Sequence, residues 1–194
     1  MTRFLRPALA TVTSASILAR AGCAGHRGPP VPEIATLQPL NGEWVLASDE
    51  SRVRQVQFAS QDGYGFTEET MQSVVALLAI RAQRFVLEVS DSVLAVASSE
   101  PEFSFSLAMD GTPLEVRDED GRLLESTALA WEEDAPVVRR TLPGTGWVSN
   151  RFELAAEGTL VITRTAAVRN YRGREVEATT PIHFVYARST GSRP

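Results

Sequence analysis

The segment Phe103-Ser104-Phe105-Ser106-Leu107 alternates large apolar and small polar residues without a break. A period of two puts both phenylalanines and the leucine on one face of a strand and the serines on the other, a pattern that a helix does not satisfy. The same grammar recurs along the chain. Phe85 to Val89 turns at Ser90-Asp91-Ser92 into Val93 to Ala97, and Asp110-Gly111 leads from Met109 into Leu114-Glu115-Val116. After Asp118-Glu119-Asp120-Gly121 come runs at Arg122 to Trp131, Val137 to Leu142, Trp147 to Leu154, Leu160 to Val168 and Thr180 to Arg188, each bounded by Gly, Pro, Asn or acidic clusters. Connections this short pair successive strands antiparallel. The expected fold is therefore mainly all-β over residues 40–188: an antiparallel meander, closed into a barrel or strongly curved, because closure removes aggregation-prone sheet edges.

One interruption has a different period. Over Thr67 to Gln83 a threonine can cap, Glu68 and Glu69 complement a positive helix end, and Met71, Val74, Val75 and Leu78 recur at helical spacing. This predicts a helix over 67–83 that packs on the sheet. Its polar side lacks the basic residues of a helix that lies on a membrane.

The opening strand, Leu40-Asn41-Gly42-Glu43-Trp44-Val45-Leu46, resembles the Gly-x-Trp start of lipocalins and related calycin barrels. That resemblance implies a lipocalin-like barrel in which a basic residue of the last strand packs over the tryptophan and plugs the closed end. The last run, Phe184-Val185-Tyr186-Ala187-Arg188, offers Arg188 for a cation–π contact with Trp44. Bacterial lipoproteins with a Gly-x-Trp-x-Leu start are a similar case, and they imply this fold with no assigned activity.

The N-terminus carries an address. Arg3 and Arg6 precede an uncharged run from Pro7 to Ala19, shorter than the roughly 20 apolar residues of a membrane-crossing helix but suited to a signal-peptide core. Ala21-Gly22-Cys23 resembles the lipobox of bacterial lipoproteins, in which the cysteine becomes lipidated and N-terminal. Arg20 stands where that family usually has an aliphatic residue. Ala19-Arg20-Ala21 is also an Ala-x-Ala site for conventional cleavage. The expected organisation is a signal peptide at 1–22, a lipid-anchored flexible tether at 23–39, the β domain at 40–188 and a disordered tail at 189–194. The Pro- and Gly-rich stretch Gly25 to Pro32 sets the tether. Cys23 is the only cysteine, so it makes no internal disulfide, and acylation gives it a use. Several acyl chains would hold the protein on the membrane. With Ala24 next, the lipoprotein resemblance implies the periplasmic face of the outer membrane in a Gram-negative host; unlipidated cleavage would leave a soluble periplasmic protein.

Composition narrows the function further. All 19 basic residues are arginine and three precede Cys23, while all 24 acidic residues follow it. The remainder carries a charge of about −8, which disfavours phosphate-rich partners, so no nucleic acid is expected. No phosphate loop, His-Glu-x-x-His or Cys-x-x-Cys occurs, and neither cofactor nor metal is expected. Asp118, Asp120 and Glu125 suggest a calcium loop only faintly, an acidic hairpin turn being the simpler reading. His26 falls in the tether. His183 alternates with aliphatics, with no nucleophile motif to serve, so no catalytic residue is assigned.

Two non-catalytic functions follow. A hollow barrel of roughly 300 Å³ or more would bind a small apolar or amphipathic ligand, with Phe103, Phe105, Trp131 and Trp147 as candidate lining residues. A packed barrel would instead use its surface or a sheet edge to hold another envelope protein.

Overall fold

The computed structural model describes residues 34–49, 78–133, 135–170, 172–178 and 181–189, with Gln72 and Ala76. The chain enters through a short helix, α1 (Ile34–Leu37), and a 3₁₀ turn (Gln38–Leu40). Among the described residues eleven strands follow: β1 (Gly42–Asp49), β2 (Arg84–Val89), β3 (Val93–Ser98), β4 (Phe105–Ala108), β5 (Leu114–Arg117), β6 (Leu123–Glu132), β7 (Ala135–Leu142), β8 (Gly146–Leu154), β9 (Leu160–Arg169), β10 (Glu175–Glu177) and β11 (Ile182–Arg188).

Ten of them form one antiparallel path in the order β4-β3-β2-β1-β11-β9-β8-β7-β6-β5. The last strand sits between β1 and β9, with Trp44 opposite Arg188 and Phe184 opposite Ile162. β11 pairs with Leu160 to Arg164 of β9, and the short β10 pairs with the other end of the same strand, Ala167 to Arg169. The path curls into a nearly closed barrel, with β4 returning against β6. Among the described residues no ladder joins β4 to β5, so a seam runs between them. The expectation of a mainly all-β antiparallel meander, strongly curved and nearly closed, holds.

Local chemistry fixes the corners. At the β5–β6 hairpin, Asp118 Oδ1 accepts from the backbone N–H of Asp120 at 3.1 Å and Arg122 at 2.8 Å. The Asn170 side chain does the same for Arg172 and Arg174, both at 3.0 Å, between β9 and β10. These are turns built by side chains that mimic backbone acceptors. Gly146, at φ 148°, opens β8 where a Cβ would lie 2.0 Å from the carbonyl oxygen of Ala167. Only glycine lets the two strands come that close.

The barrel half built by β1, β2, β3, β9 and β11 is solid. Trp44, Phe85, Leu87, Leu94, Leu160, Ile162, Phe184 and Tyr186 are buried there. Phe85 meets Tyr186 edge-on at 4.9 Å and Phe103 at 5.3 Å between ring centroids. Each such side chain contributes roughly 1.5–3 kcal/mol by leaving water, and aromatic pairs add to that.

Several boundaries differ from the sequence reading. Leu37 and Leu40 are buried in the core, so residues 34–39 of the expected tether pack with the domain. Phe103 keeps its inward face but leaves the strand. Pro101 starts a 3₁₀ turn, with Phe103 N–H donating to Glu100 and Ser104 N–H to Pro101, and β4 begins only at Phe105. Ser189, placed in the tail, donates its N–H to the carbonyl of Glu43. Most of the helix expected over 67–83 lies outside the described residues; Gln72, Ala76, Leu78 and Ala79 are helical, and β2 starts at Arg84. Residues 1–33, including Cys23 and His26, and residues 190–194 also lie outside them.

Candidate functional site: a cleft at the barrel seam

The other half of the barrel is not filled. A cavity of about 270 Å³ opens where β4 and β5 part, at the lower end of the roughly 300–1,000 Å³ typical of small-molecule sites. Phe103 and Phe105 line one side, Leu114 and Val116 of β5 the other, with Val138 and Val148 behind. Among the described residues β5 pairs with β6 alone, and Leu114 and Val116 are 52% and 48% exposed. A wider hollow of about 530 Å³, lined by Asn41, Glu88, Val89, Ser90, Val93, Ala95 and Ser106, lies over β2 to β4.

The inner faces of β6 to β9 bring polar side chains into this cleft. On β9 the inward series reads Leu160, Ile162, Arg164, Ala166 and Val168, so an arginine occupies a core position. Arg164 is 2% exposed. Its Nε donates to Asn150 Oδ1 at 2.7 Å, directly across the ladder on β8. Its Nη1 donates to the carbonyls of Leu78, at 2.9 Å, and Ile80, and its guanidinium lies 4.8 Å over the Phe184 ring. Leu78 and Ala79 are helical, so the cation satisfies carbonyls at a helix end. Burial pulls the Arg164 pKa down to about 10, which leaves the group charged at neutral pH. Tyr186 Oη donates to Ala82 at 3.1 Å and ties down the same segment.

Arg140 on β7 and Glu125 on β6 form the second polar group. Arg140 Nη2 donates to Glu125 Oε2 at 2.6 Å, with the two side chains 30% and 21% exposed. Thr127 Oγ1 donates to Glu125 Oε1 at 3.3 Å. Arg140 Nε is buried without an acceptor among the described residues.

The sequence candidates fall in different places. Phe103 and Phe105 line the cleft; Trp131 is buried in the continuous core, and Trp147 lies on the outer face. Trp147 stacks under Arg139 at 4.4 Å and donates its Nε1 to Glu175 at 3.3 Å. Its orientation corrects the expectation of an inward ring: Val148 and Phe152 take the inner face of β8, and Trp147 has the opposite parity. At the other end of the barrel, Arg188 lies 4.5 Å over the Trp44 ring and donates to the carbonyls of Asn41 and Pro39, both at 2.6 Å. Trp44 Nε1 donates to Leu40 at 2.9 Å, so both side chains are tied to the 3₁₀ turn that precedes β1. His183 Nδ1 lies 3.2 Å from Thr163 Oγ1. Glu125 points into the cleft while Asp118 serves its own turn, so the faint calcium trio does not converge. No cluster of potential metal ligands occurs among the described residues.

Sequence reasoning passed over Arg140, Asn150 and Arg164. The signal was there: each interrupts an inward apolar series, Val138-x-Arg140, Val148-x-Asn150-x-Phe152 and Ile162-x-Arg164-x-Ala166. A charge at a core parity position is costly unless it is paired.

No protein-family model matches the chain, and no curated protein matches it. Solved structures similar to it include the fluorescent protein UnaG, wild type, at 12% identity and TM-score 0.45, covering 79% of this chain and 99% of that one. The REP1-NXSQ fatty acid transporter is similar at 13% identity and TM-score 0.41, over 80% of this chain and 99% of that one. Both likenesses are distant, and neither carries an activity across to this chain.

Proposed function

We propose that this chain is a non-catalytic cell-envelope lipoprotein, anchored through Cys23, whose barrel holds a small apolar or amphipathic molecule in the seam cleft. The observation that carries the binding reading is the cavity of about 270 Å³, walled by Phe103, Phe105, Val138 and Val148 and bearing a few convergent polar groups. Titration of the mature protein with Nile red, an uncharged environment-sensitive dye, tests it. Saturable uptake that is lost on filling the cleft with Val148→Trp is the expected result. Uptake that never saturates, or that survives this change, removes the reading. The envelope address rests on the N-terminal sequence. Cell fractionation with Cys23→Ser checks it: the wild type stays with membranes and the variant is released, whereas identical fractionation of the two refutes lipid anchoring and leaves conventional cleavage after Ala21.

A second reading, the holding of another envelope protein, draws on β5. This strand has an unpaired edge among the described residues and carries the exposed Leu114 and Val116. Crosslinking in cells from Val116→Cys separates the two: a recurrent protein adduct favours this reading.

A further inference from the structure

Four charged side chains line the cleft, Glu102, Glu125, Arg140 and Arg164, so its formal charges balance. Its hydrogen-bonding capacity does not. Both Glu125 oxygens accept from within the protein, from Arg140 and Thr127. Two side chains keep unused donors. Arg140 spends one nitrogen on Glu125, its Nε is buried without an acceptor, and Nη1 makes no hydrogen bond to the described residues. Asn150 is oriented by Arg164: its Oδ1 accepts from Nε, which turns the amide NH₂ away as a donor with no acceptor among those residues. The cleft thus combines apolar walls with surplus donors at zero net charge.

Resting on the reading of the cleft as a ligand site, we infer that it selects an uncharged amphiphile bearing a hydrogen-bond acceptor, such as an ester or amide carbonyl, over a free carboxylate of the same chain. Glu125 is the residue that sets this preference. The Arg140 charge is already neutralised at 2.6 Å. A ligand carboxylate that reaches the remaining guanidinium nitrogen comes within one guanidinium's width of the Glu125 carboxylate, and like charges at that separation repel. Arg164 offers no substitute, because its Nε and Nη1 donate to Asn150 and to the Leu78 and Ile80 carbonyls. A carbonyl oxygen accepts from Arg140 and Asn150 without opposing Glu125, and it brings no charge that must lose its hydration. The small cavity calls for a medium-length chain.

The test uses the mature protein loaded with Nile red and displaced at neutral pH by decanoate, methyl decanoate or decanamide. The ester and the amide should displace the dye at concentrations roughly tenfold below decanoate. Glu125→Gln should tighten decanoate and close or reverse that gap. Glu125→Ala should do the same by deletion, so that loss of fold in one variant, seen by circular dichroism, leaves the other to decide. Decanoate binding as tightly as the amide to the wild type overturns the inference, as does a gap unchanged in both variants. Displacement by none of the three, with no saturable dye uptake, instead removes the ligand-site reading beneath it.

Discussion

Replacing Gly42 by alanine should reveal how tightly the two ends of the chain are held together, because the cost depends on a residue 146 positions away, Arg188. Gly42 has φ 142°, and a Cβ there would lie 2.5 Å from Arg188 Nη1. The guanidinium makes two 2.6 Å bonds to the carbonyls of Asn41 and Pro39 and covers the Trp44 ring. At this solvated position each bond contributes about 1 kcal/mol and the ring contact about 0.5–1 kcal/mol. Arg188→Ala should therefore cost about 2–3 kcal/mol. Gly42→Ala incurs backbone strain of about 1–3 kcal/mol and also pushes the guanidinium out of its seat, for a total of about 3–6 kcal/mol. In the double variant only the strain is added to the loss of Arg188, so the two changes should fall short of additivity by about 2–3 kcal/mol. Urea unfolding of the four proteins, followed by far-ultraviolet circular dichroism at constant slope, measures this. Additivity within about 0.5 kcal/mol would refute the reasoning, since it would mean the guanidinium does not occupy the space that glycine leaves.

Three further outcomes follow from the same structure. Arg164→Met strands the Asn150 oxygen and the Leu78 and Ile80 carbonyls, and should cost about 3–5 kcal/mol in urea unfolding, with faster amide exchange in the segment leading to β2. An unfolding midpoint within a few tenths of a kilocalorie of wild type would contradict the tie. Gly146→Ala meets backbone rather than a movable side chain, so it should cost about 4 kcal/mol or more and sharply reduce recovery of folded protein, and near wild-type stability would count against the β8–β9 approach. Hydrogen bonds from Ser98 and Thr112 and from Arg169 hold the Glu100, Asp110 and Glu175 carboxyls below their ordinary values of 4.5, 3.8 and 4.5. Carboxyls depressed by folding stabilise fully above those values and lose their contribution as pH falls below them, so urea midpoints should be flat above pH 4.5 and decline under it.

The barrel was legible because alternation and turns are local. Leu94, Val96, Phe105 and Leu107 reveal their face within a few residues, and Gly42-x-Trp44 identifies the opening strand. What escaped depended on partners distant in sequence. Arg164 lies within a run read correctly as a strand, but its inward position needs the Leu78 and Ile80 carbonyls to be tolerable, and nothing near it in the sequence announces them. Trp147 was separable by parity, since it stands five positions from the inward Phe152, yet aromatic identity outweighed that count. α1 and β10 are too short to show a period at all. The cleft itself arises from a missing ladder between β4 and β5, and strand patterns report pairing far better than its absence.

The position of β11 bears on how such a chain reaches its native state. Because β11 is hydrogen-bonded on one side to β1 and on the other to β9, a polypeptide cut short of Ile182 presents two long unsatisfied ladders. The chain must therefore have emerged from the ribosome as far as Arg188 before both ladders can form. Such distant pairing makes folding comparatively slow. A slow, late-closing polypeptide stays threadable for longer, and one that must cross a membrane before folding would profit from that delay.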